Sequence, residues 1–428
     1  MLKKITTLLI IAAFATSLAA CKAGQNTTES TASSSSSQAS VQTTEKDTSQ
    51  QSDSVIATAN TTSNGKIDTT DLFSKRDLSQ TADLTDATKY AVSDGQNINI
   101  TAEGVYVLSG SASNVTVTVE AGDEDKVQLV LDGVSITNSS APCIYVKNAD
   151  KVFVTTTQSE NTLSVTGTFT ADGTTNTDAV IFAKDDVVLN GVGTLNISSS
   201  NNGISGKDDV KITGGTININ SVSDAIEANN SVAIADGVIT INTQKDGIHA
   251  ENDEDDSVGY VYICGGTLNI TATDDGVHAT TVAQIDDGTL DITASEGIEA
   301  TYVQLNGGTI KISASDDGIN ASSKSKSYAV TIEINGGDIT VDMGQGDTDA
   351  IDSNGDIFVN GGTLNITAQS PFDYDGQANY TGGKMIVNGT ETTTITNQMM
   401  GGGMRGGMGG EMPQGGMQQG GSNGMMRR

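Results

Sequence analysis

Six acidic residues occupy one place in a recurring phrase: Asp224, Asp246, Asp275, Glu296, Asp317 and Asp349, each followed by Gly or Ala and then Ile or Val. Three residues on stands a second set, Glu227, His249, His278, Glu299, Asn320 and Asp352. If the phrases stack as neighbouring strands, each set becomes a column, with carboxylates of adjacent layers about 5 Å apart. Like charges at that distance are costly unless a proton or a cation sits between them. Calcium accepts several hard oxygens in irregular geometry, so two layers plus turn carbonyls would supply a shell. The expected ligands are Asp224, Glu227, Asp246, Asp274, Asp275, Glu296, Glu299, Asp316, Asp317, Asp349 and Asp352, with Asp274–Asp275 and Asp316–Asp317 the richest points. Each Asp taken alone also suits a turn, where its side chain caps backbone N–H groups. Zinc would draw on His249 and His278, but the chain offers them no Cys partners.

The elements that must hold these columns are legible in the period. The second glycine of each Gly pair, or its equivalent, falls at 193, 215, 237, 266, 288, 308, 337 and 362, a base step of 20–22 residues with occasional insertions. A fixed step of this size marks a solenoid built of one repeat per layer. Each repeat holds two runs alternating Val, Ile or Leu with Thr, Asn, Ser or Asp, the signature of strands with one buried and one wet face. No stretch carries a helical apolar stripe, and β-branched residues and glycines dominate. The expected fold is all-β: a parallel β-helix, right-handed because strand–crossover–strand units nearly always are. Asn190, Asn306, Asn335 and Asn360 precede the Gly pairs and are expected to form a stacked turn ladder, with Cys264 taking the same place. Insertions at 251–259 and 322–328 are expected to overhang one face. There Tyr260, Tyr262, Tyr302 and Tyr328 are candidates for stacking on a sugar.

Around this body the composition changes. Residues 1–21 read as an export signal: Lys3 and Lys4, an apolar run from Ile5 to Ala20, then Leu18-Ala19-Ala20-Cys21. That ending matches a bacterial lipobox, with Cys21 acylated and the chain held on the outer face of the cell membrane. Residues 22–66 are Ser/Thr/Gln/Asn-rich and fit a flexible tether. The β domain is expected over 67–397, and 398–428 is a Met/Gly-rich tail holding eight of the 11 methionines. Cys143 and Cys264 stand several repeats apart, too far to pair with each other, and a fold without disulfides is expected. Acidic residues number 53 against 22 Lys and Arg, a net charge of −31, and Arg76 is the one arginine before the tail. Nucleic acid is excluded as a partner for want of a cationic footprint.

The strings ITAEGVYVLSG (100–110), VQLVLDGVSITNSSAPCIYVKNADKVFV (127–154), DAVIFAKDDVVLNGVGTLNI (178–197) and NNGISGKDDVKITGGTINI (201–219) resemble a known family. It is the bacterial carbohydrate-binding domain family of calcium-bearing β-helices, akin in fold to pectate lyases and associated with cellulose and pectic polysaccharides. The resemblance covers most of residues 67–390 and implies calcium, a right-handed parallel β-helix and a polysaccharide partner. A cation bridging protein and uronate carboxylates would reconcile an acidic glycan with an acidic protein. Two alternatives stand beside binding. A calcium-dependent lyase needs a strong base, for which Lys184, Lys207 and Lys245 are the candidates. A non-catalytic adhesin or spacer would retain no sugar at all. Hydrolase signatures built on Gly-His-Gly and Arg-Ile-Lys are absent.

Overall fold

The computed structural model describes residues 67–398 apart from 253, 346 and 347. The signal, Cys21, the tether and nearly all of the Met/Gly-rich tail lie outside the described residues. Among the described residues the fold is all-β, with thirty strands and no helix. The strands run in three parallel ladders, each repeat giving one stretch to each ladder. The first ladder includes Lys151–Thr156, Asp186–Gly191 and the opening halves of Asp209–Ser221 and Ser231–Thr243. The second includes Glu160–Val165, Thr194–Ser199 and the closing halves of the same long strands. The third runs through Asn202–Gly206, Ile226–Ala228 and Ile248–Ala250 to the start of Asp275–Ala294, then on to Glu296–Leu305, Asp317–Ala321, Asp349–Ser353 and Ser370–Tyr374. Among the described strands the one antiparallel ladder joins Lys384–Val387 to Thr390–Thr392 at the far end.

Side-chain alternation fixes which residues face inward. In the third ladder Ile204, Ile226, Ile248, Val277, Ile298, Ile319, Ile351 and Phe372 lie in register, and all are buried. Each such side chain contributes about 1.5–3 kcal/mol when fully removed from water. The residue between Ile and Ala points away from the core, so the phrase itself sets the second column on the outer side of the ladder, where His249, Glu299 and Asn320 are still largely covered by their neighbours. The Gly pair turns the chain from the first ladder to the second. Gly266 takes φ +87°, a conformation that side chains rarely adopt, and a Cβ on Gly265 would collide with the Ala235 carbonyl of the preceding repeat. The asparagine ladder forms as expected: Asn335 Nδ2 donates to Asn306 Oδ1 at 2.8 Å, and Asn360 Nδ2 to Asn335 Oδ1 at 2.9 Å.

One feature has no precedent in the repeats. Residues 67–80 lie across the outer face of the first ladder and build a second core there. Ile67 and Leu72 pack with Ala233, Ala235, Tyr260, Tyr262, Cys264 and Val282. The backbone N–H of Ile67 donates to Gln284 Oε1 at 2.8 Å, and Gln80 Nε2 donates to the Thr213 carbonyl at 2.8 Å. Asn190 leaves the asparagine ladder to donate to the Asp77 carbonyl at 3.2 Å. Cys143 is a buried free thiol, its pKa pushed up to about 12 by burial. Cys264, expected as a buried free thiol, is buried in this second core and is disulfide-bonded.

Candidate metal centre

Both acidic columns stand on the third ladder in the expected register. Asp275 pairs with Glu296, and Asp317 with Asp349. The outward set runs Glu227–His249–His278–Glu299–Asn320–Asp352 and continues to Asp373. Asp373 was missed from sequence because its repeat ends in Ser-Pro-Phe and carries no Asp-Gly-Ile to align on.

Turn capping and charge clustering use different oxygens of the same carboxylates. The N–H of Asp246 donates to Asp224 Oδ1 at 3.1 Å, that of Asp275 to Asp246 Oδ1 at 3.1 Å, and that of Asp349 to Asp317 Oδ1 at 3.3 Å. Each Oδ1 therefore caps the next repeat. Among the described residues three groups bring ligand atoms within 4.8 Å of one another: Asp224–Asp246–His249, Asp275–His278–Glu299 and Asp246–Asp274–Asp275. Asp224, Asp246 and Asp275 are buried, while Asp274 is exposed at the rim.

The electrostatics differ from group to group. His249 Nδ1 lies 3.0 Å from Asp246 Oδ2 and 3.5 Å from Asp224 Oδ2, and Lys245 Nζ reaches the same two atoms at 3.5 and 3.0 Å. Burial opposes protonation of His249, but the two carboxylates outweigh it and raise its pKa to about 10. His278 behaves oppositely: burial, with His249 and Lys324 nearby, lowers it to about 4. Its Nδ1 lies 2.6 Å from Asp275 Oδ2 and 3.2 Å from Glu299 Oε2. Burial and the carboxylates of Asp246, Glu299 and Asp274 push Asp275 up to about 8. Burial likewise raises Glu296 to about 7.

Other expected ligands lie outside these groups. Glu227 is held by Asn202 Nδ2 at 2.7 Å, Ser205 Oγ at 3.0 Å and Lys207 Nζ at 3.2 Å. Glu296 accepts from Asn320 Nδ2 at 2.9 Å. Asp316 is exposed, and Asp317, Asp349 and Asp352 are half-buried further along the column. The histidines, set aside from sequence for lack of Cys partners, enter two of the three groups. The signal that could have found them was their place in the aligned column.

Two of the four tyrosines depart from the expectation. Tyr260 and Tyr262 are 2% exposed beneath residues 67–80, leaving no open ring face for a sugar. Tyr302 and Tyr328 pack half-buried on the same second core, and Tyr302 donates to Glu333 Oε2 at 2.8 Å. The two inserted loops do meet, Ser325 Oγ donating to the Asp256 carbonyl at 2.8 Å.

A family model described as "Carbohydrate-binding domain-containing protein" matches residues 94–348 and 296–401. The chain belongs to this carbohydrate-binding domain family. A curated relative of the same description from Acetivibrio thermocellus is 35% identical over 125 residues, which are 28% of this chain and 43% of the relative. The match thus spans less than half of that protein. A solved structure described as a polysaccharide lyase-like protein from C. thermocellum, in a gadolinium derivative, is 30% identical. It covers 51% of this chain and 96% of its own, with a TM-score of 0.47. All three ligand groups of this carbohydrate-binding domain protein fall within the matched residues.

Proposed function

We propose that this protein is a polysaccharide-binding lipoprotein of the bacterial cell surface, a right-handed parallel β-helix that takes an acidic glycan through calcium. The observation that carries the reading is the trio Asp246, Asp274 and Asp275, whose carboxylate oxygens from two adjacent repeats lie within 4.8 Å of one another. Asp246 and Asp275 are the buried members, and exposed Asp274 sets the rim where a ligand would arrive. Three hard, anionic oxygen ligands at one point suit calcium better than softer ions. When bound, calcium would supply the positive charge that lets a uronate carboxylate approach a chain of net charge −31. Three parallel ladders entered in the same order by each repeat support the β-helix reading, with its hand set by the crossover rule. Anchoring through Cys21 rests on the lipobox.

Binding is favoured over lyase chemistry by the state of the lysines. A base for proton abstraction needs a pKa near the working pH. Burial works to lower that of Lys245, yet Asp224 and Asp246 hold it above the usual lysine value. Lys207 is paired with Glu227.

Retention on polygalacturonate, measured with calcium and with excess chelator, tests the proposal. Retention should require calcium, and Asp274→Asn should weaken it about ten-fold through loss of one charged ligand. Equal retention in chelator, or none in either condition, defeats the reading.

A further inference from the structure

We propose that Asp224, Asp246 and His249 form a site for a borderline-soft divalent cation of the zinc type, chemically distinct from the all-oxygen trio with which it shares Asp246. The inference does not rest on the calcium–glycan reading. His249 is 8% exposed, and its Nε2 lies 3.2 Å from Glu251 Oε2. On binding, the ion would replace the Nδ1 proton of the cationic ring, leaving the Nε2 proton donated to Glu251 and the Nδ1 lone pair facing the same ion as the carboxylates of Asp224 and Asp246. Nδ1 is buried, and although it stands 3.0 Å from Asp246 Oδ2, no aligned hydrogen bond closes on it. Three electron-rich atoms from two repeats thus converge, and an imidazole whose other N–H is held by a carboxylate is the usual form of a metal-ligating histidine. Two carboxylates and one imidazole make three protein ligands with a position left open, as in non-structural zinc sites. The imidazole nitrogen is what turns selectivity away from calcium.

The position is particular to this part of the column. The chain has two histidines, and both stand on the outward column in adjacent repeats, ring centroids 4.6 Å apart. The neighbouring positions hold Glu227 and Glu299 instead. At the mouth, Lys245 Nζ sits 3.0 Å from Asp224 Oδ2 with 43% of its side chain exposed, so it can swing into solvent. It competes with a dication for the same oxygens.

The test is calorimetric titration of the tag-free, chelator-stripped full chain with zinc alone and with calcium alone. Zinc should bind the wild type more tightly than calcium does. His249→Gln should weaken zinc by about ten-fold or more while changing calcium by less than about two-fold, and Lys245→Met should tighten zinc. Zinc binding no tighter than calcium, or unaltered by His249→Gln, would reduce the imidazole to an ion-pair partner and overturn the site. If His249→Gln does not fold, zinc-edge X-ray absorption on the zinc-loaded His278→Gln protein decides. There the one remaining imidazole is that of His249; nitrogen scattering from a ring supports the site and an all-oxygen shell refutes it.

Discussion

Between Asp224 and Glu299 the columns of the third ladder contain both histidines, and Lys245 and Lys324 reach into them. From Asp317 to Asp373 the same columns hold carboxylates, Asn320 and Ser370, with no lysine, arginine or histidine among them. Backbone, register and turn caps are alike in both halves. The problem of stacking negative charge is therefore met in two ways. In the first half, cationic side chains stand inside the column: His249 is raised to about 10, and Asp246 is held well below the ordinary carboxylate range, burial notwithstanding, by His249 and Lys245. In the second half the charge stays unbalanced. Burial and the carboxylates of Asp352, Glu296 and Asp316 push Asp317 up to about 8, and burial with Asp373 and Asp349 raises Asp352 to about 6. Around His249 the first half is a set of ion pairs, and at Asp275 and Glu296 it passes over into carboxylates raised by burial and by one another. The second is a reservoir of strain that a proton or a cation relieves.

Substituting one carboxylate in each half should separate them most sharply. Asparagine keeps the Oδ1 that accepts from the next repeat and removes only the charge. Asp246→Asn strips one of the two counterions from His249 and Lys245, with Asp224 remaining, and should destabilise the chelated protein by about 1–3 kcal/mol. Asp317→Asn removes a repelled charge, and its melting temperature at pH 8 should be equal to or above that of the wild type. A loss in both variants would mean that capping, not charge, governs these positions.

The pH dependence follows next in size. A carboxyl whose folded pKa exceeds its unfolded value of about 3.9 binds protons more tightly when folded, so stability falls as pH rises between the two values. Asp317 and Asp275 at about 8, with Glu296 at about 7, place that fall between roughly pH 4 and 8. His249, raised to about 10, stabilises fully below its unfolded value near 6.5, and that contribution is lost progressively as pH rises from there through about 10, adding to the decline above pH 6.5. The melting temperature of chelated protein should therefore decline from pH 5 to pH 8. Added calcium should recover more at pH 8 than at pH 5, and Asp317→Asn should flatten the decline. A flat profile in the wild type would remove the distinction between the halves.

Much of this was legible in the chain because a period carries its own geometry. Once the step of 20–22 residues is seen, Asp246 and Asp275, or His249 and His278, must be neighbours whatever the hand of the turn. Strand alternation then puts Ile298 inside and Glu299 outside. Three things were not legible, each for a physical reason. Which oxygen of Asp246 caps the next repeat and which faces His249 depends on a side-chain rotation that spacing does not encode. Glu251 reaches His249 from an inserted loop that breaks the period. The covering of Tyr260 and Tyr262 by Ile67 and Leu72 joins residues about two hundred positions apart, and nothing periodic announces the segment 67–80.

That covered face gives the smallest effect and a control for the rest. Tyr262 donates its hydroxyl to Asp286 Oδ2 at 2.8 Å, and its ring lies beneath the segment that begins at Ile67. Tyr262→Phe keeps the buried ring and deletes one hydrogen bond to a carboxylate, so it should lower stability by about 1.5–3 kcal/mol at most, and less where water replaces the hydroxyl. Because the ring has no open face, retention on polygalacturonate should be unchanged in this variant and also in Tyr260→Phe. Recognition would then lie with the charged columns of the third ladder, whose substitutions alter calcium dependence as well as retention. If Tyr262→Phe reduced glycan retention while stability held, residues 67–80 would have to lift from the first ladder in solution, and two faces of the domain would share the ligand.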